Sequence, residues 1–137
     1  MTDRGRELHA LIDGRSDEEI LAAVGAIPGG SSELLDETMA GMADALDPDA
    51  AEDCVLGYEI EAPEGTHAYR IEVRGQRVTA EHRDPADARV VLCLTLPNYL
   101  RLISGLLDGT DAFMTGRMRI RGDVMFAPQI GRIFRTA

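Results

Sequence analysis

The stretch DAFMTGRMRIRGD, residues Asp111 to Asp123, lies between two apolar, helix-like segments and decides the fold. Its first half reads as a short connection. Phe113 and Met114 are large apolar residues there, where exposure to water is unfavourable, so they are expected to plug an apolar space. Gly116 permits a turn with φ > 0. From Arg117 to Arg121 the order is Arg-Met-Arg-Ile-Arg, a period of two. It places Met118 and Ile120 on one face of a strand and three guanidinium groups on the other. Gly122 and Asp123 end the strand, and Asp123 suits the N-cap of a following helix. The stretch holds no catalytic motif; a loop, a turn and a strand between two apolar helices is how a chain builds a container.

Upstream, Leu96-Pro97-Asn98 opens a helix in which Tyr99, Leu100, Leu102, Ile103, Leu106 and Leu107 are apolar nearly all round, so it is expected to be buried on more than one side. Asp108-Gly109-Thr110 is expected to end it. Downstream, Val124, Met125, Phe126, Ile130, Ile133 and Phe134 form a last apolar segment. Pro128 and Gly131 weaken it as a helix, leaving a first-turn proline or a mobile closing flap.

Before this region the period is two. Cys54, Leu56, Tyr58 and Ile60 alternate with Val55, Gly57 and Glu59, and Tyr69, Ile71 and Val73 alternate with Arg70, Glu72 and Arg74. A turn at Gly75-Gln76 leads to Val78, Ala80 and His82, giving antiparallel strands with one wet face. Residues 89–95 are apolar on both faces and are placed in a central, covered strand. The amino-terminal part is helical. Ser16-Asp17-Glu18-Glu19 is a capping box ahead of a stripe of Ile20, Leu21, Val24 and Ile27, stopped by Pro28-Gly29-Gly30. A second helix starts near Ser31 or Ser32, carries Leu35, Met39, Met42 and Leu46, and stops at Asp47-Pro48. Both helices must pack their apolar faces on the sheet formed by the strands after them.

At 137 residues the chain is one domain by length and buries roughly two thirds of its unfolded surface. No apolar run reaches the ~20 residues of a membrane span, and the start of the chain has no signal-peptide core, so a cytoplasmic protein is expected. Charge is uneven: residues 1–65 sum to −14 and residues 66–137 to +4, within a net −10. That balance argues against nucleic acid as the main partner. All 14 basic residues are arginine; without lysine there is no lysine-dependent phosphate loop, Schiff-base nucleophile or pyridoxal phosphate attachment. A GC-rich genome accounts for that usage.

The search for chemistry is mostly negative. The sequence has no G-x-S-x-G, H-E-x-x-H or G-x-G-x-x-G, and no cofactor or metal ligand set is expected. Cys54 and Cys93 are expected to be reduced thiols without a functional role. His67 and His82 lie in adjacent predicted strands and are expected to approach as ordinary strand histidines. Asp84 and Asp87 read as residues of an Asp-Pro turn. The stripe Arg117, Arg119, Arg121 is either the solvated face of a strand or an attraction for a lipid carboxylate, phosphate or anionic surface.

The segment Tyr99-Leu100, Gly105, Ala112-Phe113-Met114, Gly116 and Arg117 to Asp123 resembles the sterol carrier protein type-2 domain, and the composition suits a bacterial member. The resemblance extends more loosely back to about Asp53. It implies an α+β fold: a five-stranded, mostly antiparallel sheet covered on one side by helices, with an apolar tunnel between them. It also implies that Leu102, Ile103, Leu106, Phe113, Met114, Met118 and Ile120 border that tunnel, closed by Met125, Phe126, Ile130, Ile133 and Phe134. The chain departs from the family pattern at Phe126-Ala127-Pro128-Gln129-Ile130. Residues 1–30 form a helical extension and residues 31–137 the lipid-binding domain, one compact domain overall.

The expected function is non-catalytic binding or transfer of a fatty acid, acyl group, sterol or similar lipid. Two alternatives come from other classes: an interaction or homodimerisation module whose groove a partner fills, and an accessory container for an enzyme of lipid or polyketide metabolism. In the last, Tyr58, Tyr69, His67 or Asp84 would do acid-base work. Homodimerisation and transient contact with an anionic membrane surface are the further partner expectations.

Overall fold

A computed structural model describes residues 3–45, 53–75 and 77–126. In chain order the elements are α1 (Asp3–Ile12), α2 (Asp17–Gly25), α3 (Gly30–Ala45), β1 (Cys54–Ala62), β2 (Gly65–Arg74), β3 (Arg77–Glu81), β4 (Val90–Thr95), α4 (Leu96–Ile103), α5 (Gly109–Met114), β5 (Met118–Gly122) and a 3-10 turn at Val124–Phe126. The strands form one sheet in the order β3-β2-β1-β4-β5. Only the β1–β4 pairing is parallel; the other three are antiparallel.

Strand alternation sorts side chains to the two faces as the period-two reading requires. In register, Tyr69, Tyr58, Leu92 and Ile120 lie side by side, and Leu56, Ile60, Ile71, Val73, Val90, Leu94 and Met118 share their face. This face and the helices make a single core. The opposite face is charged. Arg119 and Arg121 of β5 reach across β4 to Glu61 and Glu59 of β1, so two of the three stripe arginines are paired within the sheet.

Strand β4 is buried along Val90–Leu94, as its doubly apolar sequence demands. The loop after β3 supplies its outer cover. Pro85 lies so close over the sheet that a Cβ at Gly57 would sit 2.6 Å from the proline Cβ and 3.0 Å from Val91 Cγ2. Arg70, buried on β2, holds this loop down: its Nε and Nη2 donate to Asp87 at 2.9 and 2.7 Å, and Nη2 also donates to Glu72 at 2.8 Å. Asp87 is thus an ion-pair partner as well as a turn residue.

Hydrogen bonding to Arg70 lowers the Asp87 carboxyl to about 2. Its folded value lies below the ~3.9 of an unfolded aspartate, so the stability it adds is complete above about pH 4 and lost as pH falls toward about 2. Asp87→Asn should flatten this limb: denaturation midpoints between pH 4 and pH 2 are expected to fall more steeply for the wild type than for the variant. Parallel profiles would remove the pair from the acid response.

The helical layer is built from segments on either side of β1–β4. The capping box forms, Ser16 accepting from the Glu19 N–H and the Ser16 N–H donating to the Glu19 side chain. Ile20 and Val24 are buried as the stripe requires, and α1, which the sequence reading did not separate as a helix, buries Ile12. Helix α3 starts at Gly30 and buries Leu34, Leu35 and Met39. Leu46 and the Asp47-Pro48 stop lie outside the described residues, as does Gln76.

Helix α4 starts as read: the Thr95 side chain caps it by accepting from the Asn98 N–H, with Pro97 in the first turn. It ends sooner than expected, at Ile103 rather than at Asp108. Gly105 adopts φ 77°, and the N–H groups of Gly105 and Leu106 return to the carbonyls of Leu102 and Arg101. That pattern closes a helix over a left-handed residue. Gly116, at φ 76°, closes α5 in the same way.

Candidate functional site

The residues expected to border an apolar space divide into a buried set and an exposed set. Met118 is buried, and Leu102, Ile103 and Ile120 are half-buried against the core. Leu102 Cδ1 comes within 3.9 Å of where a Gly109 Cβ would lie, so the end of α4 leans on the start of α5. Leu107 and Ala112 lie buried nearby in sequence.

The exposed set overturns the expectation that Phe113 and Met114 plug the interior. They occupy the last turn of α5, a helix where the sequence read as a loop, and they are 44% and 75% exposed. Ala112 is the buried residue of that helix: a six-residue helix turns one narrow face inward, and the small residue holds it. Leu106, Val124 and Met125 are exposed too, so all five exposed large apolar side chains among the described residues fall between 106 and 125. The Phe126 side chain and Ile130, Ile133 and Phe134 lie outside the described residues. Asp123, expected as an N-cap, instead accepts from Arg89 Nε at 3.0 Å.

A second group of residues gathers where α3 meets the β2–β3 edge. The Tyr69 hydroxyl donates to Asp36 Oδ1 at 2.5 Å. The His82 ring stacks on Tyr69 with centroids 4.4 Å apart and planes 15° from parallel. Its Nδ1 lies 3.4 Å from the same Asp36 oxygen. His67 approaches His82 to 5.5 Å, as adjacency of their strands predicted, and contacts Glu64 at 3.1 Å. Beside this group opens a cavity of about 230 Å³, lined by Asp36, Met39, Ala40, Tyr69, Ala80 and His82. Asp36 was missed in the sequence. The available signal was its place beside the apolar stripe, since Asp36, Met39 and Ala40 follow the i, i+3, i+4 rule.

The acid-base candidates do not all meet: Tyr69 and His67 gather at His82, and Asp84 lies apart from them. Asp84 lines a groove of about 490 Å³ on the charged face of the sheet, with Glu59, Pro85, Val91 and Arg121. Tyr58, Tyr69 and His67 belong to the other face. Burial raises the Tyr58 hydroxyl well above its usual range; burial first, then the bond to Asp36, raises Tyr69. Both phenols therefore keep their protons near neutral pH. Tyr99, raised by burial, donates to the Thr38 hydroxyl at 2.9 Å. Cys93 is buried and Cys54 half-buried, and burial raises the Cys93 thiol. Among the described residues, no group of three His, Cys, Asp or Glu side chains is placed to hold a metal, and no helix is long and apolar enough to cross a membrane.

A five-stranded mixed sheet with one helix-covered apolar face defines an α+β fold. The profile of the SCP-2 sterol transfer family matches residues 35–135, and the chain belongs to that family. Lipid binding or transfer is the family's general activity.

Similarity to individual proteins is lower. The chain is 26% identical over 105 residues to hydroxysteroid dehydrogenase-like protein 2 of Pongo abelii, a match covering 74% of this chain and 25% of that protein. Among solved structures, the sterol carrier protein 2 like 2 of Aedes aegypti aligns with TM-score 0.60 at 20% identity, covering 76% of this chain and 96% of that one. A palmitated form of the same mosquito protein aligns with TM-score 0.56 at 21% identity, covering 74% of this chain and 91% of that one. The sec-alkylsulfatase Pisa1 from Pseudomonas sp. aligns with TM-score 0.64 at 19% identity over 87% of this chain and 21% of that one. The chain thus spans about a quarter of the curated relatives it matches.

Proposed function

We propose that this protein binds the apolar chain or ring system of a lipid between the helix-covered face of the sheet and the α4–α5 corner, and releases it unchanged. One observation carries the reading: among the described residues, the exposed large apolar side chains are confined to 106–125, the region around β5, while Leu102, Ile103, Met118 and Ile120 lead from it toward the core. A domain that exposes greasy side chains in one region has a use for them. Family membership supports the same reading, and so does the palmitated mosquito relative. In this proposal Leu106, Phe113 and Met114 form the mouth and the half-buried residues the inner wall. Met125, exposed just past β5, lies at the edge of that mouth.

Burial of an aliphatic chain supplies about 0.8 kcal/mol per CH₂ removed from water, enough to hold a ligand without any ionic contact. Native mass spectrometry of the purified protein, with palmitate, hexadecanol or cholesterol added, should show one ligand per chain. Phe113→Ala, at an exposed position that folding hardly uses, is expected to weaken uptake about fivefold to tenfold. A protein that takes up none of the three would overturn the reading.

A second reading rests on the relatives' lengths. Matched proteins named as a dehydrogenase-like protein and an alkylsulfatase carry this fold as a fraction of a longer chain. The domain would then hold an apolar substrate for an enzyme working beside it. Co-purification with such an enzyme, lost in the Phe113→Ala variant, would favour this version over free transfer.

A further inference from the structure

We propose that the cavity between α3 and the β2–β3 edge is a head-group subsite that accepts a hydroxyl or ammonium group and disfavours a carboxylate. The inference deepens the lipid-binding reading and rests on it. The cavity opens on the same side of the sheet as the core, and its floor is apolar: Met39, almost fully buried, with Ala40 and Ala80. One wall is polar, formed by Asp36, the Tyr69 hydroxyl and the His82 ring. About 230 Å³ holds a head group and the first few methylenes of a chain.

The chemistry of that wall is selective. Asp36 Oδ1 accepts from Tyr69 and faces His82 Nδ1, so its carboxylate is fixed against the sheet by groups on β2 and the end of β3. A carboxylate is an acceptor only, so it contributes to a ligand by accepting a donated hydrogen bond. Helix α3 reinforces the sign: Glu33, Asp36 and Glu37 lie on it, and residues 30–45 contain no base. Of the basic groups nearest in the fold or chain to His82, His67 contacts Glu64 and Arg83 pairs with Glu81. A long-chain alcohol, a sterol hydroxyl or an alkylammonium meets an acceptor there, and the ammonium gains charge attraction as well. A fatty-acid carboxylate meets a like charge.

The test compares three ligands with one chain and three heads: hexadecylamine, hexadecanol and palmitate, each displacing a bound apolar fluorophore at pH 8. The wild type should bind the amine about tenfold more tightly than palmitate, with the alcohol between, a factor equivalent to about 1.4 kcal/mol. Asp36→Asn keeps an oxygen for the Tyr69 hydroxyl and removes the charge; it should bring amine and palmitate to within about threefold of each other. Equal affinities in the wild type would overturn the subsite while leaving lipid binding intact. So would a preference that survives unchanged in Asp36→Asn, since it would then come from the net charge of −10. Displacement by none of the three ligands would overturn the lipid-binding reading itself, and the subsite with it.

Discussion

A chain begun at Gly29, without α1 and α2, is expected to lose cooperative unfolding and bind apolar dyes as a loosely packed globule. The segment removed holds Ile12, Ile20 and Val24, each at most 1% exposed, with Leu8, Leu11, Leu21 and Ile27 packed around them. Full burial of an aliphatic side chain contributes about 1.5–3 kcal/mol, so the three alone supply roughly 4.5–9 kcal/mol, counted against a fully extended unfolded chain. A domain of this size has a net stability of only about 5–15 kcal/mol. The loss also strips polar ties from α4: Arg101 Nη1 pairs with Asp17 at 2.5 Å, and its Nη2 donates to the Arg15 carbonyl at 3.2 Å.

The family profile begins only at residue 35, so a fragment cut by similarity would leave both helices out. Packing places them in the core, and we propose that the folding unit includes them. Circular dichroism melts and amide spectra of the two chains decide it. A 29–137 fragment melting cooperatively within a few degrees of the full chain would make α1 and α2 an appendage, as the sequence division at residue 30 expected.

The sheet was legible because its signals are local and binary. The alternation of Leu56, Tyr58 and Ile60, of Tyr69, Ile71 and Val73, and of Met118 and Ile120 places each residue on the correct face. The doubly apolar β4 announces cover on both sides. The end of α4 is misplaced in the sequence because apolar residues continue past Ile103 to Leu107, and α5 reads as a connection because its six residues are too few to show a helical stripe. A left-handed glycine stops a helix however apolar the next residues are, and Leu106 and Phe113 look no different in sequence from Leu100. The Arg70–Asp87 clamp joins residues 17 apart and left no periodic trace. Asp36, Tyr69 and His82 meet only when α3 is laid over the β2–β3 edge, a step that strand alternation and helix stripes do not specify.

Gly122→Ala should cost about 3 kcal/mol and lower the melting temperature by roughly 10 °C, far more than its place at the end of an exposed edge strand suggests. Two independent penalties meet there. Gly122 sits at φ 91°, where a side chain is strained. An added Cβ would also lie 2.5 Å from the Arg89 carbonyl oxygen and 3.3 Å from Val90 Cα, both backbone atoms. Neither can swing aside. The Arg89 N–H donates to the Val55 carbonyl on β1 at 2.8 Å, and the Arg89 carbonyl accepts from the Asp123 N–H at 2.9 Å. The stretch that ends DAFMTGRMRIRGD therefore needs its glycine as the point where two backbones touch.

The neighbouring position separates this contact from simple proximity to an ion pair. Asp123→Ala removes the Arg89–Asp123 bridge, whose side chains are 43% and 39% exposed, and should cost no more than about 1 kcal/mol. If Gly122→Ala melted as mildly as Asp123→Ala, the close approach would be absent in solution. If it melts much lower, β5 is held at its far end by contact with the β4 backbone. The wall formed by Met118 and Ile120 then depends on that contact, and apolar ligand uptake should fall in the glycine variant while it stays intact in Asp123→Ala.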